Sequence, residues 1–191
     1  MLGAQHLVDH HASVHECARQ PQDIILRVAR LSDRCGRQRF AVVAEFGSWQ
    51  SEVCSRAVWA NPVHAESDLT NSPMLQGCLA IIKRGGGVSF FEKARRAQEA
   101  GAVAAVVINQ NDRPFIAHQE PTDRADGIRI PVICMPLGAA EELLTDSACM
   151  DGIALVCDPA HTLTVRCRPC SPVDTCSSAV LTLSQRRFTS L

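Results

Sequence analysis

No tyrosine occurs in the 191-residue chain, and only two of its 19 cations, Lys83 and Lys93, are lysines. This bias of composition carries no functional reading of its own. Neither sign of charge prevails: 19 Lys and Arg stand against 20 Asp and Glu, for a net charge of −1. Nucleic acid and anionic membrane surfaces both call for a basic field, so neither is expected as the main partner. No apolar run approaches the roughly 18 residues of a membrane helix, so no span is expected. The opening MLGAQHLVDHHASVHEC has no basic segment followed by an apolar one. That predicts no secretory signal in this chain and favours a cytoplasmic setting with reduced thiols; an endomembrane or secreted setting is the alternative if the N-terminus is truncated. Ten cysteines are about 5% of the chain, below the density of a disulfide scaffold.

What is present suffices for a core: 46% of residues are apolar and 20% charged. Residues 1–38 read as an N-terminal extension. Within it, PQDIILRVARLSDRC sets Ile24, Ile25, Val28 and Leu31 at helical spacing, which predicts a short amphipathic helix. From residue 39 to 158 the texture is α/β. RFAVVAEF and EVCSRAVWA read as two strands parted by Gly47-Ser48, and the polar stretch from Asn61 to Gln76 as a loop. Cys78–Lys83 is a short continuous apolar run suited to a strand buried on both faces, and it breaks at Arg84-Gly85-Gly86-Gly87.

The best-signalled helix follows. Ser89 and Glu92 form a capping box, and Phe90, Phe91, Ala94, Ala97 and Ala100 form an apolar stripe with Glu92, Lys93, Arg95, Arg96 and Glu99 outside it. Gly101 stands at the position of a left-handed C-terminal cap, and Ala102–Asn109 is a second buried strand. So short a crossover predicts parallel, neighbouring strands. IRIPVICM is a third strand, in which Pro131 requires a strand start, an edge or a bulge. GAAEELL is a short helix, and GIALVC with HTLTVRC is expected to form a closing pair of strands around Asp158-Pro159. The remainder, within 159–191, reads as a closing strand and a loosely ordered Cys-containing tail.

These pieces resemble the protease-associated (PA) domain family. The resemblance rests on Arg84-Gly85-Gly86, Ser89-Phe90, Glu92-Lys93, Ala97, Ala100-Gly101-Ala102, Asn109 and Ile130-Pro131-Val132, and covers residues 40 to 157. It implies a curved β-sheet or open barrel flanked by short helices, and a non-catalytic role as lid, spacer or peptide- and protein-binding module of proteases, sorting receptors and ubiquitin ligases. Many luminal members carry a disulfide between the glycine turn and the preceding loop. Here Gly87 occupies the turn position, and the loop reads His64-Ala65-Glu66-Ser67 without cysteine, so both partners are missing together. Their joint loss fits a reducing compartment.

Other motifs are weaker. Lys83-Arg84-Gly85-Gly86-Gly87 at a helix start is suited to cradle an anion, yet it matches neither G-x-x-x-x-G-K-[ST] nor G-x-G-x-x-G, and a turn needing positive φ explains it. Cys157, Cys167, Cys170 and Cys176 contain one C-x-x-C knuckle where structural zinc uses two. His10, His11, His15 and Cys17 have no H-E-x-x-H frame, and His64, His118 and His161 accompany no nucleophile motif. No catalytic residue, metal or cofactor is therefore expected. The expected partner is a protein or peptide, met by two polar loops, Asn61–Gln76 and Gln110–Gly127, with Asn61, His64, Glu66, Asp68, Asp112, Arg113, His118 and Asp123 as candidate contacts. The alternatives are a small α/β enzyme or nucleotide-binding protein using the Gly85–Gly87 turn, or a fragment of a larger protease or ubiquitin ligase.

Overall fold

The structure is a computed structural model that describes residues 23–49, 51–119, 127–144 and 150–166. The compact unit is Leu26–Thr162; of the second unit, Met1–Ile25 with Leu163–Leu191, only strand residues 23–25 and 163–166 are described. Eight strands are present: β1 Asp23–Ser32, β2 Gln38–Val43, β3 Ser51–Ser55, β4 Ala57–Trp59, β5 Leu79–Lys83, β6 Ala104–Ile108, β7 Val132–Met135 and β8 Ile153–Arg166. Three helices accompany them: α1 Ser72–Leu75, α2 Phe90–Glu99 and α3 Leu137–Leu144. The strands form one mixed sheet in the order β3-β8-β1-β2-β7-β6-β5-β4.

Residues β4 to β7 form the parallel half. β5 pairs with β6 from Leu79↔Ala104 to Lys83↔Ile108, as the short crossover predicts, and β6 pairs with β7. Pro131 lies immediately before β7, where its missing N–H costs no ladder bond, and its carbonyl accepts from the Ala105 N–H. The terminal strands of the order, β3 and β4, are joined in sequence by the single residue Arg56. The sheet therefore curls until its two ends meet, giving a nearly closed barrel.

Inward-facing side chains from all round the barrel make the core. Ala29, Leu31, Val43, Leu79, Ile81, Val106, Ile133, Met135, Ile153 and Leu155 belong to one buried cluster, which α3 completes with Ala140 and Leu143. On the other face, Ala80, Ile82, Ala105 and Val107 are equally buried. Helix α2 supplies Phe91, Ala94 and Ala97 as buried residues. Burial on both faces is why these strands read as unbroken apolar runs.

Helix α2 begins as its capping box dictates: the Ser89 hydroxyl accepts from the Glu92 N–H at 3.1 Å. Gly101, at φ +82°, ends it in the left-handed conformation. Ser89→Ala is expected to cost about 1 kcal/mol of stability, and Ser89→Asp almost nothing, in thermal melts. Equal losses in both variants would show that the hydroxyl is not acting as a cap.

Two sequence expectations are corrected. The helix expected across Pro21–Cys35 is replaced by strand β1, paired antiparallel with β2 from Val28↔Val42 to Ser32↔Gln38. Ala29 and Leu31 enter the core while Arg30 between them is exposed, a period of two that helical spacing masked. The hairpin is closed by Asp33, whose carboxylate accepts from the Arg37 N–H and Nε. The expected strand pair around Asp158-Pro159 is instead one strand, β8. Its ladder with β3 ends at Cys157, so Pro159 falls beyond that ladder. The N-terminal histidines and the tail cysteines after Arg166 lie outside the described residues.

Candidate functional site

At the carboxyl ends of β5 and β6 the chain turns twice, into Arg84–Gly87 and into Asn109–Arg113. Asn109 is buried and holds both turns together. Its Oδ1 accepts from Arg84 (3.1 Å) and from the Gln110 N–H (2.9 Å). Its Nδ2 donates to the Arg113 carbonyl (2.7 Å) and to Asn111 Oδ1 (3.1 Å). Asp112 is fixed by the Gly138 N–H at the start of α3 (2.6 Å).

The Arg84 guanidinium rests on two aromatic faces, 5.5 Å from the Phe90 ring centroid and 5.0 Å from that of Phe115. The two rings touch each other at 5.4 Å. Stacking of this kind fixes a planar cation while leaving N–H groups for a partner. Among the described residues, no carboxylate lies within ion-pair distance of Arg84. Phe90, expected as core, is thus half-buried beneath a cation, while Phe91 fills the core against Phe46.

The loop after Asn61 folds over the glycine turn. His64 Nδ1 lies 3.1 Å from the Arg84 carbonyl. A Cβ on Gly86 would stand 2.7 Å from the Cβ of His64, and one on Gly85 3.5 Å from His64 Nδ1. Gly85, Gly86 and Gly87 all have positive φ, as a turn of this shape requires. The space where an anion would be cradled over Gly85 and Gly86 is therefore occupied by the chain's own histidine.

Lys93 corrects the sequence reading most sharply. Expected on the outer face of α2, it is completely buried. Its ammonium donates to the carbonyls of His64 and Gly85, the latter at 2.7 Å, and so ties helix, loop and turn together. Burial pulls its pKa down to about 8, partly opposed by the Glu66 carboxylate and reinforced by Arg96. Arg96 donates to the Ala65 carbonyl at 2.6 Å and pins the same loop.

Of the candidate contacts, His64, Glu66, Asp112 and Arg113 flank the Arg84 turn. Asn61 and Asp68 are exposed in the first loop, Asn61 being tied to Asn71 at 3.0 Å. His118 pairs instead with Glu45 at 2.9 Å, both largely exposed. Asp123 lies outside the described residues. Phe115 was missed because a lone aromatic in a polar loop has no periodicity to betray it.

No group of three or more His, Cys, Asp or Glu among the described residues is placed to hold a metal ion. Among the described residues, Cys54, Cys78, Cys134 and Cys157 form no disulfide with one another. Burial pushes the Cys134 thiol up to about 12 and Cys157 to about 11, which leaves both as thiols at neutral pH. No described helix is long and apolar enough to cross a membrane.

The family model for the PA domain matches residues 40–143. ER degradation-enhancing alpha-mannosidase-like protein 3 from Xenopus laevis is 43% identical over 53 residues, covering 28% of this chain and 6% of that protein. The Homo sapiens protein of the same name is 32% identical over 99 residues, covering 47% and 10%. The chain thus spans a tenth or less of the curated relatives it matches. Among solved structures, BSAP, a zinc aminopeptidase from Bacillus subtilis, superposes with a TM-score of 0.53 at 20% identity, covering 77% of this chain and 35% of that one. An aminopeptidase from Aneurinibacillus sp. strain AM-1 gives 0.50 at 16% identity, with the same coverage. Such likenesses carry the fold alone.

Proposed function

The chain belongs to the PA domain family, and from that premise we propose that it is a non-catalytic accessory module that binds a protein or peptide for a larger protein. The observation that carries the reading is Arg84, a half-exposed guanidinium stacked on Phe90 and Phe115 and lacking a carboxylate partner among the described residues. A cation immobilised in advance loses little side-chain freedom on meeting an acidic or carbonyl-rich segment. Glycine turn, Lys93 and Asn109 hold its surroundings rigid, and the loops bearing His64, Glu66, Asp112 and Arg113 provide polar contacts beside it. In the mannosidase-like proteins and aminopeptidases the matching region is a minor share of the chain. That supports an accessory role beside a separate catalytic domain.

A displayed library of random peptides panned on the full chain tests the reading. Selected peptides are expected to lose at least about tenfold in affinity for Arg84→Gln, and less for Phe115→Leu, which frees the guanidinium without removing it. Binders indifferent to Arg84→Gln, His64→Ala and Asp112→Ala, in variants whose melts match the parent, would remove this surface from the reading.

A further inference from the structure

Asn109 follows β6 with an amide whose hydrogen-bonding capacity is fully used. Its Oδ1 accepts from Arg84 at 3.1 Å and from the Gln110 N–H at 2.9 Å. Its Nδ2 donates to the Arg113 carbonyl at 2.7 Å and to Asn111 Oδ1 at 3.1 Å. The partners fix which end is oxygen: a guanidinium and a peptide N–H can only donate, and a peptide carbonyl can only accept. The residue is 5% exposed, so each of these positions would be costly to leave empty.

An aspartate has the same size and would serve only half of this set. It would still accept from Arg84 and Gln110, but its second oxygen would face the Arg113 carbonyl with no proton between two acceptors. It would also set a negative charge against Arg84, and a guanidinium paired in this way has little charge left for a partner. The amide gives the reverse. It holds the guanidinium through one contact, and the other described contacts are equally uncharged: the rings of Phe90 and Phe115, with the Cys134 thiol nearby and held protonated by burial. Of the carboxylates on the flanking loops, Asp112 accepts from the Gly138 N–H and Glu66 acts on the Lys93 ammonium. No described carboxylate lies within ion-pair distance of Arg84. The other described cation of the second turn, Arg113, is exposed.

We propose that Asn109 decides the specificity of the Arg84 surface: its neutral amide aims the guanidinium yet leaves the positive charge whole, so that the surface selects a carboxylate of the partner over a neutral polar group. Asn109 acts through Arg84 and is a positioning residue. The proposal rests on the peptide-binding reading above and names the chemistry that reading selects.

The test follows the Arg84 Nε–H resonance of the full chain during titration with acetyl-Gly-Glu-Gly-amide and acetyl-Gly-Gln-Gly-amide, which differ in charge and hardly in shape. The parent is expected to bind the Glu peptide at least about tenfold more tightly. Acetyl-Gly-Gly-Gly with a free carboxyl end tells a terminal carboxylate from a side-chain one; tighter binding of either, relative to the Gln peptide, supports the proposal. Asn109→Asp is expected to shrink the preference below about twofold while the resonance keeps the ring-current shift of the two phenyl rings. Asn109→Ser, neutral and still able to accept from Arg84, is expected to bind every peptide more weakly and to keep the preference. A preference intact in Asn109→Asp, or lost equally in both variants, overturns the proposal. Should Asn109→Asp fail to fold, Asn109→Ser decides: loss of the preference in this neutral variant overturns it. Equal binding of the Glu and Gln peptides by the parent, abolished in Arg84→Gln, overturns the role of Asn109 while the peptide reading stands. Should no peptide bind at millimolar concentration and the panned library also come out empty, the peptide reading falls and this proposal falls with it.

Discussion

Lys93→Met is expected to lower stability by about 2–4 kcal/mol and to loosen the loop around His64 before the barrel itself opens. Methionine keeps the length and apolar contacts of the side chain but cannot donate. The carbonyls of His64 and Gly85, both served by the ammonium, then face each other without a donor. Hydrogen exchange gives the local reading: the Ala65 and Lys83 amides, bonded to the Pro62 and Val63 carbonyls at 2.9 and 2.8 Å, should exchange faster in the variant. Unchanged protection there would show that the loop does not depend on this lysine.

The same residue sets a pH dependence whose direction is unusual. Its pKa falls from the ordinary lysine value near 10.4 to about 8 in the folded chain. The unfolded chain therefore binds this proton more tightly. The cost of burying the charge is complete below pH 8 and fades as pH rises toward 10.4. The neutral amine keeps two N–H groups, one for each carbonyl. Relative to Lys93→Met, the parent chain should gain about 1–2 kcal/mol between pH 7.5 and 9.5. A difference constant across that range in denaturant titrations would mean that the amine is not desolvated.

Gly86→Val is the second large effect expected, about 2–4 kcal/mol. Gly86 sits at φ +74°, where a β-branched residue is strained, and its Cβ would lie 2.7 Å from that of His64 and 3.5 Å from that of Glu66. Relief requires the loop to lift, which would also unseat His64 from the Arg84 carbonyl. Gly87→Ala separates strain from collision: φ is +66°, but nothing lies within 4 Å of the added Cβ. It should cost only about 1 kcal/mol. Matching midpoints for the two variants would show that the packing of His64 contributes nothing.

The parallel half of the barrel was legible because its cues are local. Ser89 and Glu92 cap a helix wherever they stand, Gly101 ends it, and two apolar runs so close together can only be parallel neighbours. Arg84, Asn109 and the flanking loops could likewise be named from spacing and resemblance. What escaped depends on partners far along the chain. Ile24, Ile25, Val28 and Leu31 satisfy a helix as well as a strand, and pairing with β2 decides the matter. Lys93 looks like an ordinary charged position on an amphipathic helix until the loop 29 residues earlier folds onto it. Trp59 at the end of β4 and Leu144 of α3 line one cleft, and no short-range pattern connects them.

The single-residue link at Arg56 reaches further than the architecture of one molecule. A curled sheet whose first and last strands are consecutive in sequence offers a neighbouring copy only short edges, five residues in β3 and three in β4. Strand-by-strand polymerisation, the usual hazard of an open sheet, finds a short template there. A module with this property can be joined to large and varied hosts without the joined product becoming sticky.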